Sequence, residues 1–180
     1  MMTMMNRRII AAHAGTGKTT LAKTHPERYV DFVAMPYKYY LPDGETEDAE
    51  HRKADFSLEM QEEWPQNYID AILHELEQHD KILLIPPAGN ILQPLAAVGI
   101  AYFLCYPRRE LKEEYRKRYE LRGNSEDFLF VFIDGWDGFM DSLGADKHGE
   151  HIVLEEGAYL GDVFCEKGQY ADKIKGVAKV

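Results

Sequence analysis

Residues 7–20, RRIIAAHAGTGKTT, constrain the fold more than any other stretch, because a short apolar run feeds a glycine-containing loop that closes on Gly17-Lys18-Thr19. Small residues let backbone N–H groups wrap an anion, and a helix beginning at the end of the loop turns its positive N-terminal end toward the same point. The pattern is G-x-x-x-x-G-K-[ST] with one departure, since Ala12 stands where the first glycine is usual. Ala12, His13, Ala14, Gly15, Thr16, Gly17, Lys18, Thr19 and Thr20 are therefore expected to cradle a nucleoside triphosphate, with Lys18 on the outer phosphates and the Thr19 hydroxyl on Mg²⁺. The competing account is a glycine turn between a strand and a helix, with Lys18 merely solvated. Ala tolerates positive φ poorly, so the entry to the loop should differ slightly from a glycine version. His13 is expected to be solvated or to support the loop from behind, not to react.

The signals that follow alternate, and continuous apolar runs set between helical patterns indicate parallel strands covered on both faces. Residues 7–12, 29–34, 81–86, 100–106 and 151–154 read as strands. Residues 17–23 read as a short helix ended by His25-Pro26, residues 65–79 as a helix with Ile69, Ile72, Leu73 and Leu76 at helical spacing, and residues 90–98 as another. Residues 108–122 form a long basic helix stopped at Gly123; Ser125 opens the next, which runs to about residue 143, and residues 159–165 form a closing helix. Residues 35–64 carry prolines, glycine and many acids without steady period, and read as an irregular excursion with one helix near Leu58. The expectation is a single domain over residues 1–180, a doubly wound α/β fold with nucleotide at the carboxyl edge of the sheet.

A chain of 180 residues that is 45% hydrophobic can bury a core without disulfides or metals. Its formal charge of -10 argues against tight nucleic-acid binding, which asks for a basic face. Basic residues nevertheless concentrate at Arg108, Arg109, Lys112, Arg116, Lys117, Arg118 and Arg122, either around an anion or along a solvated helix face. Cys105 and Cys165 lack a C-x-x-C partner and basic neighbours in sequence, so both are expected to be reduced and unreactive in a soluble, cytoplasmic protein. No signal peptide or apolar run of bilayer length is seen. His74 and His79, like His148 and His151, lack the further ligands of a zinc site.

Three classes share a loop of this kind. Signalling GTPases need an N-K-x-D segment, which the chain lacks, and its D-x-x-G at residues 141–144 falls too late for a switch. Motor and transporter ATPases end the strand equivalent to residues 81–86 in an acidic pair, where this chain has Pro86-Pro87. A kinase remains, with a lid whose positive charge meets the migrating phosphoryl group. Arg118 and Arg122, four apart on one face, are the first candidates for that role and Arg116 the next, with surface pairing to Glu113 or Glu114 as the plainer account. Asp31 is the carboxylate expected to hold Mg²⁺ or its water, or to accept a proton from the acceptor. Tyr37 and Lys38, with Trp64 and Asn67, combine aromatic faces, a cation and an amide suited to an aromatic, anionic acceptor, or simply pack the excursion. An NTP hydrolase whose excursion responds to nucleotide, and a non-catalytic nucleotide-binding module, are the alternatives.

Several later motifs belong together: Asp31-Phe32-Val33, Met35-Pro36-Tyr37-Lys38-Tyr39-Tyr40, Trp64-Pro65-x-Asn67-Tyr68, Cys105-Tyr106-Pro107, Tyr115-Arg116-Lys117-Arg118-Tyr119, Arg122-Gly123-Asn124 and Gly135-Trp136-Asp137-x-Phe139-Met140. From residue 7 to about residue 163 the chain resembles small adenylate-kinase-like P-loop proteins of phages and their bacterial hosts. More loosely it is similar to nucleoside monophosphate kinases, including the R-G-x-S-E style of residues 122–126. The resemblance implies a three-layer P-loop NTPase fold with five parallel strands, ATP and Mg²⁺ at Lys18 and Thr19, an arginine-bearing lid over residues 108–143, and a mobile acceptor region over residues 35–64. It implies a phosphate acceptor that is a small molecule, a nucleoside monophosphate or nucleoside. Pro86-Pro87-Ala88-Gly89 departs from the acidic or arginine-bearing acceptor motif of those kinases.

Overall fold

The computed structural model describes residues 7–42 and 55–165. Five strands, β1 (Ile9–Ala12), β2 (Tyr29–Asp31), β3 (Ile82–Ile85), β4 (Phe103–Pro107) and β5 (Glu150–Leu154), make one sheet in the order β2-β3-β1-β4-β5. Every pairing is parallel, with Ala11 opposite Ile85, Ala12 opposite Cys105 and Asp31 opposite Leu84. The central strands β1 and β3 are buried along their whole length, which is why they read as unbroken apolar runs.

Alternate side chains of the strands enter two cores. Ile9, Ala11, Leu83, Ile85 and Leu104 meet the helices α3 (Gln66–Gln78), α4 (Gly89–Ala97), α5 (Lys112–Leu121) and α7 (Trp136–Gly144). Ile10, Ala12, Leu84, Phe103 and Cys105 meet α1 (Lys18–Thr24) and α8 (Leu160–Phe164) on the opposite face. The result is the expected three-layer α/β arrangement with a five-stranded parallel sheet. Full burial of each such aliphatic or aromatic side chain contributes about 1.5–3 kcal/mol, so the two cores hold the layers together without cross-links.

Three expectations need correction. The second strand stops at Asp31 instead of residue 34, because the chain turns into the short helix α2 (Met35–Lys38). No helix forms near Leu58: the Asp55 carboxylate accepts from Ser57 N at 2.9 Å and its carbonyl accepts from Leu58 N at 3.2 Å, a local turn that competes with a helix. Residues 43–54 of the excursion lie outside the described residues.

The third correction concerns the expected continuous helix from Ser125. Ser125 does cap it, accepting from Phe128 N at 3.2 Å, but α6 (Glu126–Leu129) passes into a π turn (Phe130–Asp134) before α7 begins. Gly135 N donates to Phe130 O at 3.3 Å across that widened turn, and a Cβ at Gly135 would collide with the Val131 carbonyl. Glycine at this position therefore permits the wider turn. The preceding basic helix ends as expected at Gly123, where Gly123 N bonds Glu120 O at 3.0 Å and Asn124 N bonds Tyr119 O at 3.1 Å, the paired bonds of a Schellman stop.

Candidate functional site

The sheet order places β1 and β3 side by side while their following connections leave toward opposite edges and opposite faces. A crevice opens at the carboxyl ends of strands where connections diverge in this way. Residues 13–17 occupy it as the link from β1 to α1.

The loop is held from inside. His13 N donates to Cys105 O at 2.9 Å, Thr16 Oγ1 to His13 O at 2.7 Å, and Lys18 Nζ to Ala12 O at 2.7 Å. Gly15 and Gly17 take φ of 81° and 97°, whereas no described residue other than glycine has positive φ. Ala12 is the last residue of β1 with ordinary strand geometry, so alanine in place of glycine introduces no strain at the entry. Lys18 is only 6% exposed. Its ammonium sits on the loop's own carbonyls.

Thr19, near the start of α1, and Asp31, at the end of β2, come together although β3 lies between β1 and β2: Thr19 Oγ1 donates to Asp31 Oδ2 at 2.7 Å. A hydroxyl and a carboxylate so placed form a hard oxygen pair of the kind Mg²⁺ takes alongside phosphate oxygens, since that ion needs only one or two protein carboxylates. Among the described residues no cluster of three or more His, Cys, Asp or Glu could hold a metal.

His13 departs from the solvated alternative. It is 1% exposed and ringed by Phe132, Trp136 and Phe139, whose centroids lie 5.7, 5.7 and 5.5 Å from its own. Helix α5 braces the loop from the same side. Tyr119 Oη donates to Ala14 O at 2.8 Å, and burial pushes its phenol well above the ordinary range, so it stays a neutral donor.

Of the three arginines expected on a lid, the structure brings Arg118 to the loop. Arg118 donates to Gly15 O at 2.9 Å and Ala158 O at 3.2 Å, pairs with Glu114 at 3.3 Å, and lies between the rings of Tyr115 and Tyr159, 4.4 and 3.9 Å from their centroids. Arg116 pairs with Glu113 on the helix surface, and Arg122 is exposed at the helix end. The segment after β5 completes the brace: Leu160 N donates to Thr16 O at 2.9 Å, and Gly157 N to Glu114 Oε1 at 2.8 Å. The short spacing of the loop motif gave no signal for these contacts.

Beside the loop is a cavity of about 240 Å³. Lys18, Asp31 and His13 line one end; Phe32, Trp64, Phe132 and Phe139 are among its walls, and Pro86 and Pro87 lie at the end of β3. Of the expected acceptor residues, Lys38 and Trp64 face this space, with the Lys38 ammonium 5.8 Å from the Trp64 ring. Tyr37 and Asn67 stand behind it: Asn67 Nδ2 donates to Tyr37 O at 2.8 Å, and the Tyr37 ring packs on Phe32 and Tyr68. Gln61, not anticipated, ties the wall together by donating to Pro36 O at 2.7 Å and Tyr39 O at 2.9 Å.

A separate group lies on the α1 and α8 face. Cys165 Sγ is 3.5 Å from His25 Nε2, and His25 Nδ1 is 3.6 Å from Glu27, beside a hollow that also borders Gly17 and Thr20. The fold thus supplies Cys165 with the basic neighbour its sequence surroundings lack. Cys105 is fully buried, and burial pushes its thiol far up.

No protein-family model matches the chain, and no curated protein matches it in sequence. Among the described residues no helix is long and apolar enough to cross a membrane.

Proposed function

We propose that this chain is a phosphotransferase of the P-loop kinase type that passes the terminal phosphoryl group of ATP to a small acceptor, a nucleoside or nucleoside monophosphate, in the cytoplasm. The observation that carries this conclusion is the adjacency of two unlike sites, the glycine loop closed by Lys18 and Thr19 and a largely apolar cavity that shares Lys18 and Asp31 with it. Hydrolysis needs space only for water. A walled cavity opposite the loop holds a second substrate and keeps water away from the transferring group.

In this mechanism the amides of residues 14–19 surround the phosphates, and the Lys18 ammonium moves from the Ala12 carbonyl to phosphate oxygens. Thr19 and Asp31 would hold Mg²⁺. When bound, the ion neutralises phosphate charge and orients the triphosphate. Arg118 fixes the carbonyl of Gly15 and so the curvature of the loop. The aromatic wall orients the acceptor so that its nucleophilic oxygen lies in line with the bond to be broken.

Calorimetric titration with MgATP, followed by acceptor-dependent ADP release from a panel of nucleosides and monophosphates, tests the proposal. Lys18→Met should weaken MgATP at least about tenfold while leaving the circular dichroism spectrum intact. Indifference of the native protein to MgATP, or native affinity in Lys18→Met, would remove it.

A further inference from the structure

We infer that the acceptor entering the cavity is a neutral ring-bearing alcohol, not a monophosphate; the inference rests on the phosphotransferase proposal above. A monophosphate brings a dianion of about two charges, and proteins meet such groups with forked arginines or converging N–H donors.

No arginine is among the described residues that line the cavity. Its ionic lining consists of Lys18, which serves the donor loop, Asp31, which is a carboxylate, and Lys38. The Lys38 ammonium is shared between the rings of Tyr39 and Trp64, at 5.1 and 5.8 Å from their centroids. Four of the described arginines over residues 108–122 have other partners: Arg118 holds Gly15 and Ala158, Arg108 pairs with Glu155, Arg109 with Asp137 and Asp141, and Arg116 with Glu113.

The backbone points the same way. Where β3 ends, Pro86 and Pro87 line the cavity, and proline has no N–H to donate. Much of the remaining wall is aromatic and aliphatic, including Phe32, Trp64, Phe132, Phe139, Val131 and Ile91. Aromatic faces of this kind take up a flat ring by stacking and edge contact. The volume of about 240 Å³ falls just below the roughly 300–1,000 Å³ of drug-sized sites, which suits one ring system with a hydroxyl arm.

The transfer balances as follows for an alcohol. The acceptor oxygen bonds to the γ-phosphorus as the bond from that phosphorus to the β,γ-bridging oxygen breaks; ADP leaves with the electron pair, and the hydroxyl proton is released to solvent. Above neutral pH each turnover yields a phosphomonoester, ADP and one proton. Transfer to a monophosphate yields two diphosphates and no net proton.

The test presents native protein and MgATP with the common ribo- and deoxynucleosides, pyridoxine, and the matching 5′-monophosphates, recording ADP and proton release with acceptor-free controls. Calorimetry with each acceptor alone gives a readout independent of turnover. The expected result is a neutral acceptor with one proton per ADP and kcat/KM at least about 100-fold above any monophosphate. Trp64→Ala should raise the KM for that acceptor at least about tenfold without moving the MgATP dissociation constant. A monophosphate used as well or better, or no transfer to any neutral acceptor from a protein that binds MgATP, overturns the inference while leaving nucleotide binding in place. Failure to bind MgATP strikes the phosphotransferase proposal itself.

Discussion

The edge of the Tyr119 ring fills the space where a side chain on Gly15 would begin: a Cβ there would stand 2.7 Å from Tyr119 Cε1, while the Tyr119 hydroxyl holds the neighbouring Ala14 carbonyl. Loop and helix are therefore shaped against each other. Gly15→Ala combines this collision with a left-handed φ of 81° that costs about 1–2 kcal/mol for any L side chain. The variant should lose several degrees of melting temperature and most MgATP affinity in calorimetry. Retention of both would mean that the loop relaxes freely.

Arg118 and Arg116 sit two residues apart on α5 and should behave differently. The Arg118 side chain is 10% exposed, with two carbonyl partners and two rings, so Arg118→Ala should cost about 2 kcal/mol in urea denaturation. Arg118→Lys should recover only part of that, because an ammonium reproduces neither the fork nor the stacking. Arg116→Ala should stay within about 0.5 kcal/mol of the native protein. Equal losses at both positions would contradict the bracing role of Arg118.

Thr19 and Asp31 should be energetically coupled. In a cycle of Thr19→Val and Asp31→Asn, the second substitution should add less than its single effect, with a coupling of about 0.5–3 kcal/mol. The same cycle repeated with saturating MgATP should show larger coupling in binding free energy. Additivity in both conditions would separate the two side chains functionally.

Much of this was legible from residue order alone. Parallel strands buried on both faces betray themselves as apolar runs, and the loop motif is local, so strand existence, helix α3 and the loop followed from short windows. Contacts such as Arg118 with Gly15 and Ala158, 103 and 40 residues away, leave no local trace. The π turn broke the expected helix because Gly135 reads only as a mild helix weakener, whereas its steric consequence at Val131 depends on the turn already being formed. Cys165 and His25 are 140 residues apart, which is why the thiol looked inert in sequence.

That pair gives a chemical prediction. With iodoacetamide the folded protein should carry one adduct, on Cys165, by mass spectrometry, and a second on Cys105 only after unfolding. His25→Gln should slow the first reaction severalfold, because the imidazole is the base within reach of the thiol. Faster labelling of Cys105, or no effect of His25→Gln, would be the contrary outcome.

Asp146 supplies the pH dependence. Burial by itself raises its pKa, but the Gly149 and His148 amides and the Tyr102 hydroxyl more than offset that, leaving the carboxyl below its ordinary value. A depressed folded-state pKa stabilises above the unfolded value of about 3.9 and loses that contribution as pH falls through the lower folded value. The gap in urea midpoint between native protein and Asp146→Asn should be widest at neutral pH and shrink below about pH 4. A gap that grows toward acid would reverse the assignment.

The loop hangs from β1, the middle strand of the sheet, with every residue buried and neighbours hydrogen-bonded on either side. A buried central strand is expected to open late, so hydrogen exchange at residues 9–13 should approach the global unfolding limit. The opposite wall of the cavity comes from the outer strand β2 and from turns near Trp64. On warming, the loop should therefore outlast the cavity wall it faces, and under the proposed phosphotransferase reading selectivity for the acceptor should fade before affinity for MgATP.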